Sequence, residues 1–243
     1  MHWSKRMKSL LHTLILVGSI AMPVSAQAEI ITIKLYAIGI KAGTISINAT
    51  ENGQYYAVNG RVTPSALLKV IKEIGFTGSA SGKVGNGIYQ SKKYAGHLNT
   101  GNRQSIVKMH WKGRIPFVDN YQPERARRPY DIVPSKQIGT KDLLTAGYAT
   151  FKSRSIDKLC NTTHDMFDGR RRSKITLGKP VVKGSIATCT GNYKRIAGFS
   201  PNDMQKRVNF PFTIHYVQQN DGTYRFNDFS ADATFGKIRA IRK

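Results

Sequence analysis

The stretch Phe167-Asp168-Gly169-Arg170-Arg171-Arg172 lies between the two cysteines of the chain, Cys160 and Cys189. Asp-Gly is a turn dipeptide, and the arginines that follow it lead into residues 173–177, which alternate as a strand does. The pattern predicts a β-hairpin with the densest positive charge in the chain. In an oxidising compartment the two cysteines are expected to form a disulfide, although two free thiols are the alternative.

Away from this hairpin, short segments with period-two alternation and turn dipeptides between them dominate the chain. Residues 31–62 predict a β-meander with a turn at Asn52-Gly53. The small residues at 77–82 predict a bulged or curved strand, because glycine in a strand allows a bulge or close backbone approach. Residues 119–136 hold three prolines and predict a long surface loop.

Three segments carry helical signals instead. Thr63 and Pro64 can open a helix that Gly75 ends, and Leu67, Val70, Ile71 and Ile74 would form its apolar stripe. A second helix is predicted over 139–148 with Thr140 as its N-cap, and with Leu143, Leu144, Tyr148 and Phe151 facing the core. A third is predicted to open at Ser200 with a capping box.

About ten to twelve strands and three short helices result. The fold class we expect is therefore mainly β, a curved antiparallel sheet rolled into a barrel or half-barrel, because curling hides the edges of so many sequential strands. One such domain would take up residues 29–243.

The first 28 residues predict a secretory signal peptide. Lys5, Arg6 and Lys8 precede an apolar run from Leu10 to Met22, and small residues at Ala26 and Ala28 place the cleavage after Ala28. The run of about 13 residues is shorter than the roughly 20 that a membrane-spanning helix needs. We therefore expect a periplasmic protein without a transmembrane segment in the mature chain.

The net charge predicts anionic partners. Removal of three basic residues and no acidic one with the leader lowers the formal charge from +24 to +21. A charge of this size attracts phospholipid headgroups, lipopolysaccharide phosphates or acidic polymers. Export argues against nucleic acid as the physiological partner. The alternative is that the charge only keeps a β-rich protein soluble.

The arginine run is the candidate contact for an anionic group. Alternation would place Arg170 and Arg172 on one face of a strand and Arg171 on the other, and paired guanidiniums bind phosphate or carboxylate with two hydrogen bonds. A solvated hairpin face, paired with Asp165 or Asp168, is the alternative. Tyr148 and Phe151 are the candidates for an apolar wall of the same site.

Catalytic patterns are missing from the sequence. The histidines, including His164 beside Asp165, lack the spacing of a metal site, and no nucleophile motif or paired carboxylates accompany them. We expect neither a metal nor another cofactor, and no enzyme activity.

Several segments together resemble the exported envelope proteins of Gram-negative bacteria catalogued as the domain of unknown function 3108 family. Residues 38–44 with the Asn52-Gly53 turn are similar to its opening, and residues 167–172, 189–193 and 196–201 to its later half. The resemblance implies a periplasmic location and a β-barrel-like fold similar to that of lipoprotein carriers. It implies no catalytic residues. Residues 119–136 depart most from the family's pattern.

Two functions follow as hypotheses. The first is a non-enzymatic periplasmic protein that binds an anionic amphiphile, such as a lipid, in a β-barrel-like cavity with a basic rim. The second is a basic interaction module that supports envelope integrity by docking on an envelope protein or an anionic glycan, without an internal ligand. A continuous apolar cavity would favour the first, and an interior filled by Phe and Tyr side chains the second.

Overall fold

The computed structural model describes residues 27–66, 74–233 and 236–243. In these residues the chain forms one antiparallel sheet of fourteen strands, in the order β7-β6-β5-β4-β3-β2-β1-β14-β13-β12-β11-β9-β8, with β10 paired to β11. The predicted fold class, a mainly β curved antiparallel sheet, is confirmed. The strands are β1 (Gln27–Ala37), β2 (Ile40–Asn52), β3 (Tyr55–Pro64), β4 (Ile74–Gly85), β5 (Ile88–Thr100), β6 (Gln104–Lys112), β7 (Ile115–Gln122), β8 (Thr162–Phe167), β9 (Arg172–Leu177), β10 (Val181–Lys183), β11 (Ile186–Ala197), β12 (Asn209–Gln218), β13 (Tyr224–Ala233) and β14 (Gly236–Arg242).

The meander β1–β3 shows how alternation sets the two faces of the sheet. Along β3 the side chains of Tyr56 and Val58 are buried on the concave face, whereas the alternating residues Tyr55, Ala57 and Asn59 are exposed. The Asn52-Gly53 turn joins β2 to β3 as predicted, with Gly53 at φ +57°. The register of β4 and β5 shifts between Ser81 and Gly82, which confirms the bulge predicted for residues 77–82.

The helices differ from the prediction in position. Helix α1 spans Leu143–Phe151, helix α2 Ile156–Leu159 and helix α3 Pro201–Lys206, and a 3₁₀ turn spans Pro134–Lys136. The helix predicted between Thr63 and Gly75 has its stripe residues Leu67, Val70 and Ile71 outside the described residues. Its ends were predicted wrongly, because Thr63 and Pro64 belong to β3 and Ile74 and Gly75 to β4, where ladder pairing holds them.

Helix α1 begins four residues later than predicted because Asp142, not Thr140, is its N-cap. The Asp142 carboxylate accepts a hydrogen bond from the backbone N–H of Thr145 at 2.7 Å. Thr140 instead donates its hydroxyl to the carbonyl of Gln137. Leu143 is 42% exposed, so the prediction that it faces the core was wrong.

The Asp142 carboxylate also anchors α1 to the sheet. It is fully buried and accepts hydrogen bonds from the hydroxyls of Ser91 on β5 at 2.5 Å and of Thr145 at 2.6 Å. Since the Thr145 hydroxyl donates to Asp142, it accepts the hydroxyl of Tyr56 on β3 at 2.8 Å. Burial raises the pKa of Asp142, although these hydrogen bonds act in the opposite direction.

The predicted hairpin and its disulfide are present. Strands β8 and β9 pair around the turn at residues 168–171, and Cys160 is bonded to Cys189 with their Cα atoms 6.1 Å apart. Cys160 lies between α2 and β8 and Cys189 lies on β11, so the disulfide ties the start of the hairpin to β11, the other neighbour of β9. Ser200 caps α3 by accepting from the N–H of Asp203 and donating to its carboxylate, as the capping box predicted.

The two outer strands of the sheet, β7 and β8, are not paired with each other in the described part of the chain. The segment 139–141 covers the edge of β8: the N–H of Lys141 donates to the carbonyl of Asp165, and the N–H of Phe167 donates to that of Lys141, both at 2.8 Å. The same segment reaches the β6–β7 turn through the N–H of Gly139 and the carbonyl of Arg114. The loop predicted over 119–136 is shorter at its start, because β7 runs to Gln122.

The Asp142 anchor predicts a large loss of stability on truncation. Asp142→Ala should lower the free energy of unfolding by about 3 kcal/mol, since it removes a helix cap and leaves Ser91 and Thr145 without a buried charged acceptor. Urea unfolding followed by circular dichroism measures this. Asp157→Ala, in the exposed first turn of α2, is the control and should unfold at the wild-type midpoint. Equal midpoints for both variants would contradict the anchoring role.

Candidate functional site

An apolar cleft of about 390 Å³ lies between α1 and the concave face of strands β2–β7. One cross-strand row of paired residues forms its outer wall, and Leu143, Leu144 and Gly147 of α1 form its other side. The row runs from β2 to β6 as Ile45, Val62, Phe76, Leu98 and Ser105.

A row of three glycines makes room for this cleft. Gly60, Gly78 and Gly96 are directly paired across β3, β4 and β5. A Cβ at Gly60 would lie 2.6 Å from Leu144 Cδ1, and one at Gly96 would lie 2.3 Å from Tyr94 Oη. The glycines therefore let α1 and the Tyr94 ring approach the sheet closely, and Gly60 and Gly96 themselves line the cleft.

The β8–β9 turn lies beside the cleft and contributes its charged groups, Asp168 and Arg171. One oxygen of Asp168 accepts the backbone N–H groups of Arg170 and Arg171 at 2.9 and 2.7 Å, and the other lies 3.2 Å from Arg171 Nε. Asp168 therefore holds the turn together. The Arg171 side chain is 40% exposed, and within the described residues its two terminal nitrogens have no hydrogen bond.

The other two arginines of the run do not line the cleft. The guanidinium of Arg170 stacks on the ring of Tyr121, 3.6 Å from its centroid, and donates to the carbonyl of Pro123 at 2.8 Å. Arg172 donates to Asp165 at 3.0 Å. Arg170 and Arg171 both belong to the turn and only Arg172 to β9, so strand alternation does not apply to all three. Of the three arginines in the run, the structure places only Arg171 at the cleft, which Arg61 of β3 also lines.

Tyr148 and Phe151, the two residues predicted to form the apolar wall, lie in different surroundings. Phe151 lines the cleft near the C-terminal end of α1. Tyr148 does not, because it is buried against Tyr89 and donates its hydroxyl to Glu51 on β2 at 3.0 Å. Glu51 also forms an ion pair with Lys152 at 2.6 Å. Burial alone would raise the pKa of Glu51, but the hydrogen bonds from Lys152 and the tyrosines lower it.

Sequence reasoning missed the glycines and Gly147. The signal was in the sequence, because Gly60, Gly78 and Gly96 recur at intervals of 18 residues. In successive antiparallel strands, two glycines face each other when the connection between their strands lies midway between them. Equal spacing of three glycines therefore places all three in one row. Gly147 has no comparable signal, since a glycine inside a helix is more often a cost in stability than a wall of a site.

The interior beside β11–β13 is filled rather than open. Phe212 packs against Phe229, and Phe226 packs against both Phe151 and Tyr216, with ring centroids 4.6–6.2 Å apart. The open space thus lies under α1, on the β2–β7 side of the fold.

Comparison of the chain with protein-family models, with curated proteins and with solved structures finds no match. The resemblance to the domain of unknown function 3108 family therefore stays a prediction. In the described residues no helix has the length and apolar character to span a bilayer, and no three His, Cys, Asp or Glu side chains are grouped as a metal ion would need.

His164 and Asp165, adjacent in the sequence, have different surroundings. Asp165 pairs with Arg172 and Lys174. His164 is 7% exposed, and neither of its ring nitrogens has a hydrogen-bond partner among the described residues. Burial, with the nearby charges of Lys141 and Arg154, lowers the pKa of His164 to about 3. Its imidazole is therefore neutral over the physiological pH range.

This burial predicts a pH dependence of stability. The pKa of His164 in the folded state lies below that in the unfolded chain. The neutral imidazole therefore contributes fully to the free energy of unfolding above about pH 6.5, and this contribution is lost as the pH falls towards 3. Below pH 6.5 the unfolding free energy of His164→Leu should fall less steeply with decreasing pH than that of the wild type, by roughly 1 kcal/mol per pH unit. Urea unfolding at a series of pH values measures the slope. His97→Leu, at an exposed position, should keep the wild-type slope; the same slope in His164→Leu would refute the assignment.

Proposed function

We propose that this protein is a non-enzymatic envelope protein of the periplasm that binds the apolar part of an anionic amphiphile in the cleft under α1. The observation that carries the proposal is an apolar cleft of about 390 Å³ whose lining residues include the arginines Arg61 and Arg171. Ligand pockets are commonly about 300–1,000 Å³, mostly apolar, with a few polar groups that fix orientation.

The head-group contact is now assigned to Arg171 rather than to the whole arginine run. Its terminal nitrogens are unoccupied in the described structure, whereas Arg170 and Arg172 already donate to Pro123 and Asp165. A guanidinium whose two terminal nitrogens are free can bind a carboxylate or phosphate with two hydrogen bonds. The apolar walls beside it would hold the chain of the same molecule.

A second candidate is the basic docking module without an internal ligand. The aromatic packing of Phe212, Phe226 and Phe229 favours it, because that side of the interior is filled. The cleft on the other side favours the amphiphile. Native mass spectrometry of the purified protein, followed by organic extraction, distinguishes the two: a bound lipid supports the amphiphile carrier, and a ligand-free mass that envelope lipids leave unchanged supports the docking module.

Filling the cleft should abolish ligand binding. Gly147 lines the cleft, and a Cβ added there would have no atom within 4 Å. Gly147→Trp should therefore prevent a fluorescent fatty acid from binding, as measured by its emission on titration. Gly147→Ala is the control: it leaves most of the space and should bind the probe like the wild type, while it raises stability by about 0.5–1 kcal/mol through better helix propensity. Equal binding by both variants would show that the probe does not enter the cleft.

Removal of the proposed head-group contact should weaken binding without closing the cleft. Arg171→Gln should reduce the affinity for the same probe by at least about tenfold, since a hydrogen bond to a charged group contributes about 1.5–3 kcal/mol. Arg172→Gln, in the next position of the chain but paired with Asp165, should bind within about twofold of the wild type. If the Arg172 variant lost more affinity than the Arg171 variant, the assignment to Arg171 would be wrong.

A further inference from the structure

The turn between β1 and β2 has an unusual residue for its backbone conformation. Ile38 and Gly39 are its two central residues, with φ of +51° and +79°, between the paired residues Ala37 and Ile40. Positive φ at both central positions is the type I′ turn, which favours Asn or Gly at the first position. A β-branched residue rarely adopts this conformation.

The same sheet contains the usual version of this turn. Between β4 and β5 the central residues are Asn86 and Gly87, with φ of +50° and +76°. Asn86 adopts positive φ at little cost, whereas Ile38 does so at the expense of stability. The side chain at Ile38 is also 65% exposed and that of Ile40 58% exposed. The turn therefore presents two isoleucines largely to solvent on a strained backbone, and the remaining part of the Ile38 side chain lies beside Gly236.

This turn, Ile38–Gly39–Ile40, lies at the end of the sheet where the cleft has its outer wall. Ile40 begins β2, and Ile45, five residues further along the strand, is the first member of the row that lines the cleft. On β5, Leu98 belongs to the row, and the next residue, Asn99, pairs with Gln104 at the start of β6. The β5–β6 turn, which contains Arg103, therefore lies at this same end of the sheet. The Asn86-Gly87 turn lies at the opposite end.

Basic residues lie beside the apolar turn and elsewhere at this end of the sheet. The N–H of Ile38 donates to the carbonyl of Lys237 at 2.9 Å, and Lys41 is exposed one residue after Ile40. Burial lowers the pKa of Arg170, and repulsion from the nearby charges of Arg125 and Arg103 acts in the same direction. An anionic surface would relieve this repulsion. Exposed apolar side chains beside basic ones are the combination that binds at a lipid–water interface, whereas a soluble polyanion would use only the charges.

We propose that this end of the sheet docks on an anionic lipid bilayer, with Ile38 and Ile40 inserted among the headgroups. The proposal rests on the amphiphile-binding function proposed above, because it brings the outer wall of the cleft to the membrane surface. The basic residues nearby would contact lipid phosphates, and the apolar turn would enter the boundary between headgroups and acyl chains.

The test is flotation of the purified protein with vesicles of phosphatidylcholine, with and without phosphatidylglycerol. The wild type should bind the vesicles that contain phosphatidylglycerol, and Ile38→Asn/Ile40→Thr should bind them at least about tenfold more weakly. The matched control is Ile88→Thr/Ile186→Thr, which removes two exposed isoleucines from the opposite end of the sheet. The control should bind within about twofold of the wild type.

Loss of folding cannot imitate the expected result. Ile38→Asn puts the residue of the Asn86 turn into the same backbone conformation, so the single variant should unfold in urea at or above the wild-type midpoint. Equal vesicle binding by the turn and control variants would overturn the docking proposal. So would a wild type that binds heparin but not the vesicles, because charge alone would then account for its anionic partner.

The cleft is tested separately by titration with the fluorescent fatty acid in the absence of vesicles. If the turn variant binds the fatty acid like the wild type but no longer floats with vesicles, both proposals are supported. If the wild type binds no fatty acid while flotation still depends on Ile38 and Ile40, the amphiphile function fails and the docking stands alone. If the fatty acid binds and flotation is independent of the turn, the docking proposal fails.

Discussion

The position of helix α1, and with it the cleft, depends on the buried carboxylate of Asp142. A buried carboxylate is costly unless it is well hydrogen-bonded. Asp142 compensates by accepting from Ser91, from the Thr145 hydroxyl and from the Thr145 N–H at 2.5–2.7 Å. These contacts cap the helix and join it to β5 at once. They therefore fix the height of the first turn of α1 above the sheet, and with it the shape of the space beneath that turn.

A second carboxylate fixes the other end of the same helix. Glu51 on β2 accepts the hydroxyl of Tyr148 and pairs with Lys152, so the C-terminal turn of α1 is held as firmly as the first. The two carboxylates differ in their pKa. Burial raises the pKa of Asp142 against the effect of its neutral hydrogen-bond partners, whereas the pKa of Glu51 is lowered despite burial, by hydrogen bonds from Lys152 and the tyrosines and by the charge of Lys152. Tyr148 is therefore part of the support of the cleft, and Phe151, one turn further on, is free to line it.

The sequence predicted the features that depend on residues close together in the chain, and missed those that depend on contacts between distant residues. Alternation along β3, the Asn52-Gly53 turn and the Ser200 capping box are local patterns, and the fold class and these elements were predicted from them. The helix start at Asp142 depends on Ser91, 51 positions away, and the role of Tyr148 depends on Glu51, 97 positions away. The selection of Arg171 from the arginine run likewise depends on contacts of its neighbours with Pro123 and Asp165. No local pattern contains these partners.

Space and strain at one end of the sheet have a common implication. The glycine row at Gly60, Gly78 and Gly96 lets Leu144, Phe76 and Tyr94 lie directly on the sheet beside the cleft, and the Ile38 turn keeps a β-branched residue at positive φ. Both features lower stability, since glycine in a strand costs conformational entropy and the Asn86 turn has the residue that favours this backbone conformation. These losses of stability near the outer wall of the cleft have an explanation if a ligand occupies the open space and a second partner covers the exposed isoleucines. An amphiphile under α1 and a lipid surface at Ile38 and Ile40 would account for both.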